Sequence, residues 1–294
     1  MLERPLRRQP GIPGRNEPVA PTTWPGAARR AAVVLSAGIA ALMVVASAAG
    51  LLVEGLYPDG EWAREALRGG DLVTLVLVAP LLIASLILSV RGSTRAQLVW
   101  IAMLGYSVYN YAYYVFGSTF NDVFLLHIAL LSMSIFALAC ALPSLNVAAI
   151  AARFRSRVAA RWIGGFLVIV GIAQGALWVF LVLRFAVTGR LLHDIPVDGQ
   201  HLVFALDVSL LVPTLILAGI LLYRRTPFGW VLGTAVSVFG AAYQLNLMLA
   251  GAFQANAGVV GVKAFPPEGI ALTVGFAAAS AVLLMHRQRF TEGV

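Results

Sequence analysis

The stretch Leu72–Val90, LVTLVLVAPLLIASLILSV, decides the fold class of this chain. It has 19 residues, and none of them is charged. At ~1.5 Å per residue, a helix of this length spans the hydrocarbon core of a bilayer, which is ~30 Å thick. The stretch is therefore typical of a transmembrane helix.

Seven further apolar runs of similar length lie on both sides of this stretch. They are Ala31–Val53, Leu98–Gly117, Val123–Leu142, Trp162–Leu183, His201–Tyr223, Trp230–Ala250 and Ile270–Met285. The 294-residue chain is 60% hydrophobic and 12% charged, and this is about half the charged fraction of a soluble domain. The sequence predicts an all-α membrane protein, a polytopic bundle of eight transmembrane helices over residues 29–290. A disordered basic cytoplasmic tail is predicted for residues 1–28.

The basic residues indicate how the bundle is oriented. When the chain is threaded through eight spans, 16 of its 21 Lys and Arg residues fall on one side. That side holds the N-terminal segment and the connections Arg153–Arg161 and Arg224–Arg225, whereas the acidic first connection, Glu54–Asp71, falls on the other. Because lysine and arginine are retained on the cytoplasmic side of membranes, both termini are predicted to be cytoplasmic.

The first apolar run has a second interpretation. Arg29 and Arg30, the apolar residues after them and the triplet Ala46-Ser47-Ala48 resemble a secretory signal with its cleavage site. The run has 23 residues, more than the ~7–15 of a signal core. Its length favours a first transmembrane helix over a signal.

One segment of the chain recurs. Pro80–Arg91 aligns without gaps on Pro213–Arg224, with six identical residues in twelve and a spacing of 133 residues. An acidic residue precedes each segment, Asp71 in the first and Asp207 in the second. Both segments run in the same direction across the predicted bundle, so a parallel 4+4 duplication, with halves 29–145 and 160–290, is one explanation. Chance similarity between apolar helices is the other.

Polar side chains within the apolar runs concentrate in the outer half of the predicted bundle. An unpaired Asp207 in hydrocarbon must be protonated, paired or exposed to water, and its available charged partners are Arg184, Arg190, His127 and His201. The shared depth of the polar residues predicts one connected pocket that opens outward, above a dry inner half. The predicted ligand-binding residues are Tyr109, Asn110, Tyr113, His127, Gln174, Trp178, Asp207, Tyr243, Gln244 and Asn246.

Several of these residues also have a purely structural interpretation. His127 could be a core histidine bonded to a serine or tyrosine. The tyrosines could form an aromatic belt at the membrane interface. Gln244 and Asn246 could simply form hydrogen bonds between helices.

Other classes of function leave signatures that this sequence lacks. The single lysine, Lys263, lies in a predicted outer loop, where it cannot hold retinal, and the single cysteine, Cys140, excludes an internal disulfide or a CxxC motif. The sequence has no HExxH motif and no nucleotide-binding loop. A metal site formed by His127, Asp207 and His201 has no supporting spacing. The sequence identifies no cofactor, and it predicts no nucleic-acid partner because the excess arginines flank membrane spans.

These observations predict a multi-pass plasma-membrane protein, with the arginine-rich composition typical of GC-rich bacteria. It is predicted to bind a small molecule or ion in the outward-facing pocket of a transporter, with Asp207 and His127 as coupling residues, and not to be an enzyme. One alternative is a sensor or accessory subunit that contacts a membrane or cytoplasmic protein partner through Arg153–Arg161. The other is a membrane-embedded enzyme or cofactor protein acting at the outer leaflet of the lipid bilayer.

Overall fold

The computed structural model describes residues 24–152, 157–190 and 197–285. Within these ranges the chain is helical and contains no strand. Seven helices are long and apolar enough to cross a membrane, which confirms the prediction of an all-α, multi-pass membrane protein. They are Gly26–Leu52, Glu61–Val90, Phe124–Ser144, Val158–Thr188, Gln200–Tyr223, Pro227–Asn256 and Pro267–Met285.

The helical segments are labelled in chain order. They are α1 (Trp24–Leu52), α2 (Glu61–Val73), α3 (Ala79–Val90), α4 (Thr94–Gly117), α5 (Phe124–Ala141), α6 (Val147–Ala152), α7 (Arg157–Thr188), α8 (Val197–Leu206), α9 (Val212–Tyr223), α10 (Pro227–Asn256) and α11 (Pro267–Met285). Two π turns, Thr74–Val78 and Asp207–Leu211, join α2 to α3 and α8 to α9. Each pair therefore forms one continuous long helix.

The eighth predicted span, Leu98–Gly117, corresponds to α4, which is not among the seven apolar helices. Five tyrosines and Asn110 lower its hydrophobicity, yet more than half of its residues are buried. It packs against α3, α5 and α10 at the centre of the bundle. A helix enclosed by other helices does not need an apolar surface towards lipid, so composition alone does not decide whether α4 crosses the membrane.

Two helices begin earlier than the sequence predicts. α1 begins at Trp24, inside the predicted disordered tail, whose residues 1–23 lie outside the described part of the chain. α2 begins at Glu61 rather than Leu72, and Asp71 is buried within it instead of lying in the outer connection. The prediction was wrong there because α2 is amphipathic. Glu61, Arg64, Glu65 and Arg68 recur at the three- and four-residue spacing of one helix face, and not in a loop.

The two recurring segments have the same local backbone structure. The π turns at Thr74–Val78 and Asp207–Leu211 are offset by the same 133 residues as the sequences, and each comes directly before a helix whose second residue is Pro80 or Pro213. Proline lacks an N–H group, and its ring collides with the carbonyl four residues earlier in an α-helix. A wider π turn accommodates that collision, so the proline accounts for the turn in both segments.

The turns that follow α3 and α9 also match. Their three backbone hydrogen bonds are Arg91 to Ile87, Gly92 to Ser89 and Ser93 to Leu88 in the first, and Arg224 to Ile220, Arg225 to Leu222 and Thr226 to Leu221 in the second. The Ser93 and Thr226 hydroxyls then accept hydrogen bonds from the backbone amides that open α4 and α10. The turns differ at one position, since Gly92 has φ 92° and Arg225 has φ 58°.

Glycines bring α7 and α9 into close contact. A Cβ atom added to either Gly164 or Gly219 would lie 2.7 Å from the carbonyl oxygen of the other. Small residues of this kind allow close helix packing in membranes. Past Gly175, which packs against α9, the two backbones separate, and the side chains of Trp178 and Phe204 stack between α7 and α8. The two long helices therefore form a V, closed at the glycines and open towards α8.

Candidate functional site

Asp207 lies where α7 and α8 begin to separate, at the first position of the second π turn, and its exposed fraction is 1%. Its carboxylate accepts hydrogen bonds from side chains of α4, α7 and α10. One oxygen is 2.5 Å from the Tyr109 hydroxyl and 3.4 Å from the Tyr243 hydroxyl. The other oxygen is 2.8 Å from both Gln174 Nε2 and Trp178 Nε1. One carboxylate thus connects four long helices.

All four donors are neutral. Within the described residues, Asp207 forms no ion pair, and Arg184, Arg190, His127 and His201 do not bond to it. Of the three alternatives given for Asp207, an ion pair is therefore not formed among the described residues, and neutral polar donors surround the carboxylate instead. Moving a carboxylate from water into a protein interior costs several kcal/mol, and hydrogen-bond donors offset part of that cost. The site remains able to accept a proton or a cation.

An aromatic block positions the two tyrosine donors. The Tyr109 and Tyr243 rings meet edge to face with centroids 5.0 Å apart, and their hydroxyl oxygens are 3.1 Å apart. Phe239 packs against both rings, with centroids 5.8 Å from Tyr109 and 5.7 Å from Tyr243. Close packing between α4 and α10 therefore fixes both hydroxyl groups next to Asp207.

A cleft of about 460 Å³ opens beside this cluster, between α7 and α8. Trp178 and Phe204 stack in its wall, with ring centroids 4.3 Å apart, and Gln200 and His201 also line it. Trp178 has two roles, because the same indole lines the cleft and donates its N–H to Asp207. If the Trp178 side chain moved away from Asp207, the carboxylate would face the cleft.

A second buried carboxylate, Asp71 of α2, packs against another face of α4. The Tyr57 hydroxyl donates to it at 2.7 Å, and the Tyr114 hydroxyl lies 3.1 Å from it and 2.7 Å from the Leu67 carbonyl oxygen. Burial, and then the nearby Asp71 carboxylate, raise the pKa of Tyr57 above its usual value, so this tyrosine remains a donor. Sequence reasoning missed Asp71 because the residue was assigned to a loop.

His127 belongs to this second cluster. Its fully buried ring lies 4.8 Å from the Tyr114 ring and 6.5 Å from the Tyr57 ring, centroid to centroid. Neither ring nitrogen has a hydrogen-bond partner among the described residues. Tyr109 and Tyr114 point ~140° apart around α4 at ~100° per residue. Asp207 and His127 consequently occupy different clusters instead of one pocket.

The structure thus brings five of the ten predicted ligand-binding residues together. They are Tyr109, Gln174, Trp178, Asp207 and Tyr243. Asn246 approaches the second cluster, since its Oδ1 atom would lie 3.1 Å from a Cβ atom on Gly70, which also faces Tyr114. Among the described residues, Asn110, Tyr113 and Gln244 form no hydrogen bond to either carboxylate.

The two clusters do not provide a metal centre. Within the described ranges, no three His, Cys, Asp or Glu side chains lie close enough to hold a metal ion. The combination of His127, Asp207 and His201 considered from the sequence is not formed, because His127 lies in the second cluster.

Comparison with known proteins identifies no relative. The chain matches no protein-family model, no curated protein and no solved structure. The geometry of the Asp207 cluster is therefore the basis on which a function can be proposed.

The hydrogen bonds to Asp207 predict a specific stability change. We expect Tyr109→Phe to lower the free energy of unfolding by about 1–3 kcal/mol, because it removes a donor from a buried carboxylate. The control is Tyr113→Phe on the same helix, which loses no hydrogen bond to a carboxylate. Measured in detergent, the loss should shrink when Asp207→Leu is already present. Equal effects of the two tyrosine changes in the Asp207 protein would contradict this assignment.

Proposed function

We propose that this chain is a plasma-membrane transporter for a small solute, and that Asp207 couples solute movement to a proton or cation. One observation carries the proposal. A carboxylate with neutral partners only lies directly behind Trp178, which lines a cleft between helices of an apolar bundle. Ionisable groups inside membrane proteins are costly and are functional candidates by default.

The hydrogen bonds around Asp207 supply a physical route for the coupling. An ionised carboxylate only accepts hydrogen bonds, whereas a protonated one has a donor of its own. Protonation therefore reverses or removes at least one of the bonds from α4, α7 or α10, because a tyrosine hydroxyl can accept as well as donate. The Tyr109 and Tyr243 hydroxyls are already 3.1 Å apart and can then bond to each other. Helix packing around the cleft thus depends on the charge of one residue.

The chemistry of the cleft favours a solute with an apolar part. Trp178 and Phe204 offer aromatic surface, and Val182 and Val208 add aliphatic surface. The polar groups are few and lie at Gln200, His201 and, behind Trp178, Asp207. Ligand sites of this kind use apolar walls for affinity and a small number of polar groups for orientation.

The distribution of basic residues supports an outward-opening cleft in an eight-span bundle with cytoplasmic termini. Arg161, Arg224 and Arg225 lie at the other end of α7 and α9 from the cleft. The packing of α1 supports a permanent first helix instead of a removed signal. Trp100 Nε1 donates to the Ser36 hydroxyl at 2.9 Å, and Arg29 donates to the Ser89 carbonyl oxygen at 3.0 Å.

The matching π turns and end turns support a duplication of the two halves, which is an architecture found among transporters. The acidic residues differ between them, since Asp207 opens its π turn, whereas Thr74 occupies the same position in the first half. We infer that only the second half keeps a carboxylate at its π turn.

The orientation is testable by cysteine labelling in a Cys140→Ser background. We expect an impermeant thiol reagent added to intact cells to label cysteines at the exposed Glu54 and Val260 positions. Cysteines at the exposed Arg91 and Arg224 positions should be labelled only after the cells are opened. Labelling of all four positions in intact cells would contradict the proposed topology.

Transport is testable in proteoliposomes that contain a pH-sensitive dye, with a panel of amines and neutral amphipathic solutes. We expect one class of solute to cause saturable proton movement, and Asp207→Asn to reduce its rate at least about tenfold, as for a lost charge-assisted bond. The control is Glu268→Gln, which changes an exposed carboxylate at the start of α11. Saturable solute binding without flux would favour the sensor, and full activity of Asp207→Asn would contradict the coupling role.

A further inference from the structure

A second groove, of about 810 Å³, lies at the end of the bundle away from the cleft. It runs between the start of α7 and the turn that joins α9 to α10. The residues that give it its chemical character are Arg161, Trp162, Gly165, Phe166, Tyr223 and Arg225. Its mouth is thus basic and aromatic, and its inner part is apolar.

Two guanidinium groups form the basic mouth. The Arg161 guanidinium lies 5.9 Å from the centre of the Tyr223 ring, in a cation–π contact. Arg225 is exposed at the turn. Neither arginine forms an ion pair within the described part of the chain. The groove therefore presents two positive charges without acidic neighbours to neutralise them.

The backbone of Arg225 is unusual. Among the described residues it is the only one other than glycine with a positive φ, 58°. The matching turn of the first half makes the same three backbone hydrogen bonds with Gly92 in this position. Glycine adopts the left-handed conformation freely, whereas arginine does so at a cost. The turn would form more easily with glycine at this position. The presence of arginine is therefore explained by its side chain and not by the backbone of the turn.

The inner part of the groove has the character of a lipid-facing channel. The exposed fractions of Trp162 and Ile169 are 77% and 69%. A Cβ atom added to Gly165 would meet no other atom within 4 Å, so the groove is open beside this glycine. An acyl chain can lie there against Phe166 and Ile169, while the indole of Trp162 lies where polar and apolar regions meet.

We propose that this groove binds one anionic phospholipid, with its phosphate between Arg161 and Arg225 and one acyl chain beside Gly165. Guanidinium groups suit phosphate oxygens because their N–H donors are arranged as a planar fork. A zwitterionic headgroup would bring its own cation towards two arginines and bind less tightly. The exposed apolar surface around the groove favours a lipid over an acidic peptide. This site is independent of the proposed transport function.

The test uses the full-length protein, purified in detergent, with phosphatidylglycerol and phosphatidylcholine of identical acyl chains. We expect native mass spectrometry to detect one retained phosphatidylglycerol, and this lipid to raise the thermal unfolding temperature more than phosphatidylcholine does. Arg225→Gly should weaken phosphatidylglycerol binding at least about tenfold, as for a lost charge-assisted bond. It should still fold, because the first half has glycine at the matching position. Gly165→Leu should block the acyl chain, and its Cβ atom would have no other part of the protein within 4 Å.

The matched control is Arg91→Gln, which removes an exposed arginine from the corresponding turn of the first half and should leave lipid binding unchanged. Equal retention of the two lipids would overturn the proposal, as would unchanged phosphatidylglycerol binding in either Arg225→Gly or Gly165→Leu. If inorganic phosphate or glycerol phosphate raises the unfolding temperature as much as the lipid does, the groove is an anion site and not a lipid site.

Discussion

The carboxylate of Asp207 holds four long helices together through hydrogen bonds to Tyr109, Tyr243, Gln174 and Trp178. Each of these donors is neutral, so the bonds satisfy the carboxylate without cancelling its charge. In an apolar bundle such a residue responds strongly to any proton or cation that reaches it. The central packing of the protein and its proposed function therefore depend on the same group.

The cleft follows from two opposing local constraints on α7 and its neighbour. Gly164 and Gly219 allow the helices to pack closely, because no side chain separates their backbones. Beyond the π turn before Pro213, α7 and α8 are farther apart, and the cleft lies between them. The first half has the same kind of turn before Pro80 but no acidic residue within it. The same π turn and proline thus occur in both halves, but only the second half has a carboxylate in the turn.

The sequence predicted which polar residues would be buried in the bundle better than which helix each one would face. Position within an apolar run was used to predict one shared pocket, and the hydrogen bonds do bring Asp207, Tyr109, Gln174, Trp178 and Tyr243 together. Which face of α4 meets which helix depends on tertiary packing, and so the predicted meeting of His127 with Asp207 did not occur. Asp71 was missed because the charged face of an amphipathic helix resembles a loop in sequence.

Infrared difference spectroscopy of the carboxyl groups tests the central claim most directly, since a protonated buried carboxyl has its own C=O stretching band. The full-length protein in lipid would be compared with Asp207→Asn while the pH is lowered, with and without a transported solute. We expect a band that is absent in Asp207→Asn and that shifts in position or midpoint when solute binds. A spectrum that is identical in the two proteins, or that does not respond to solute, would contradict the coupling role of Asp207.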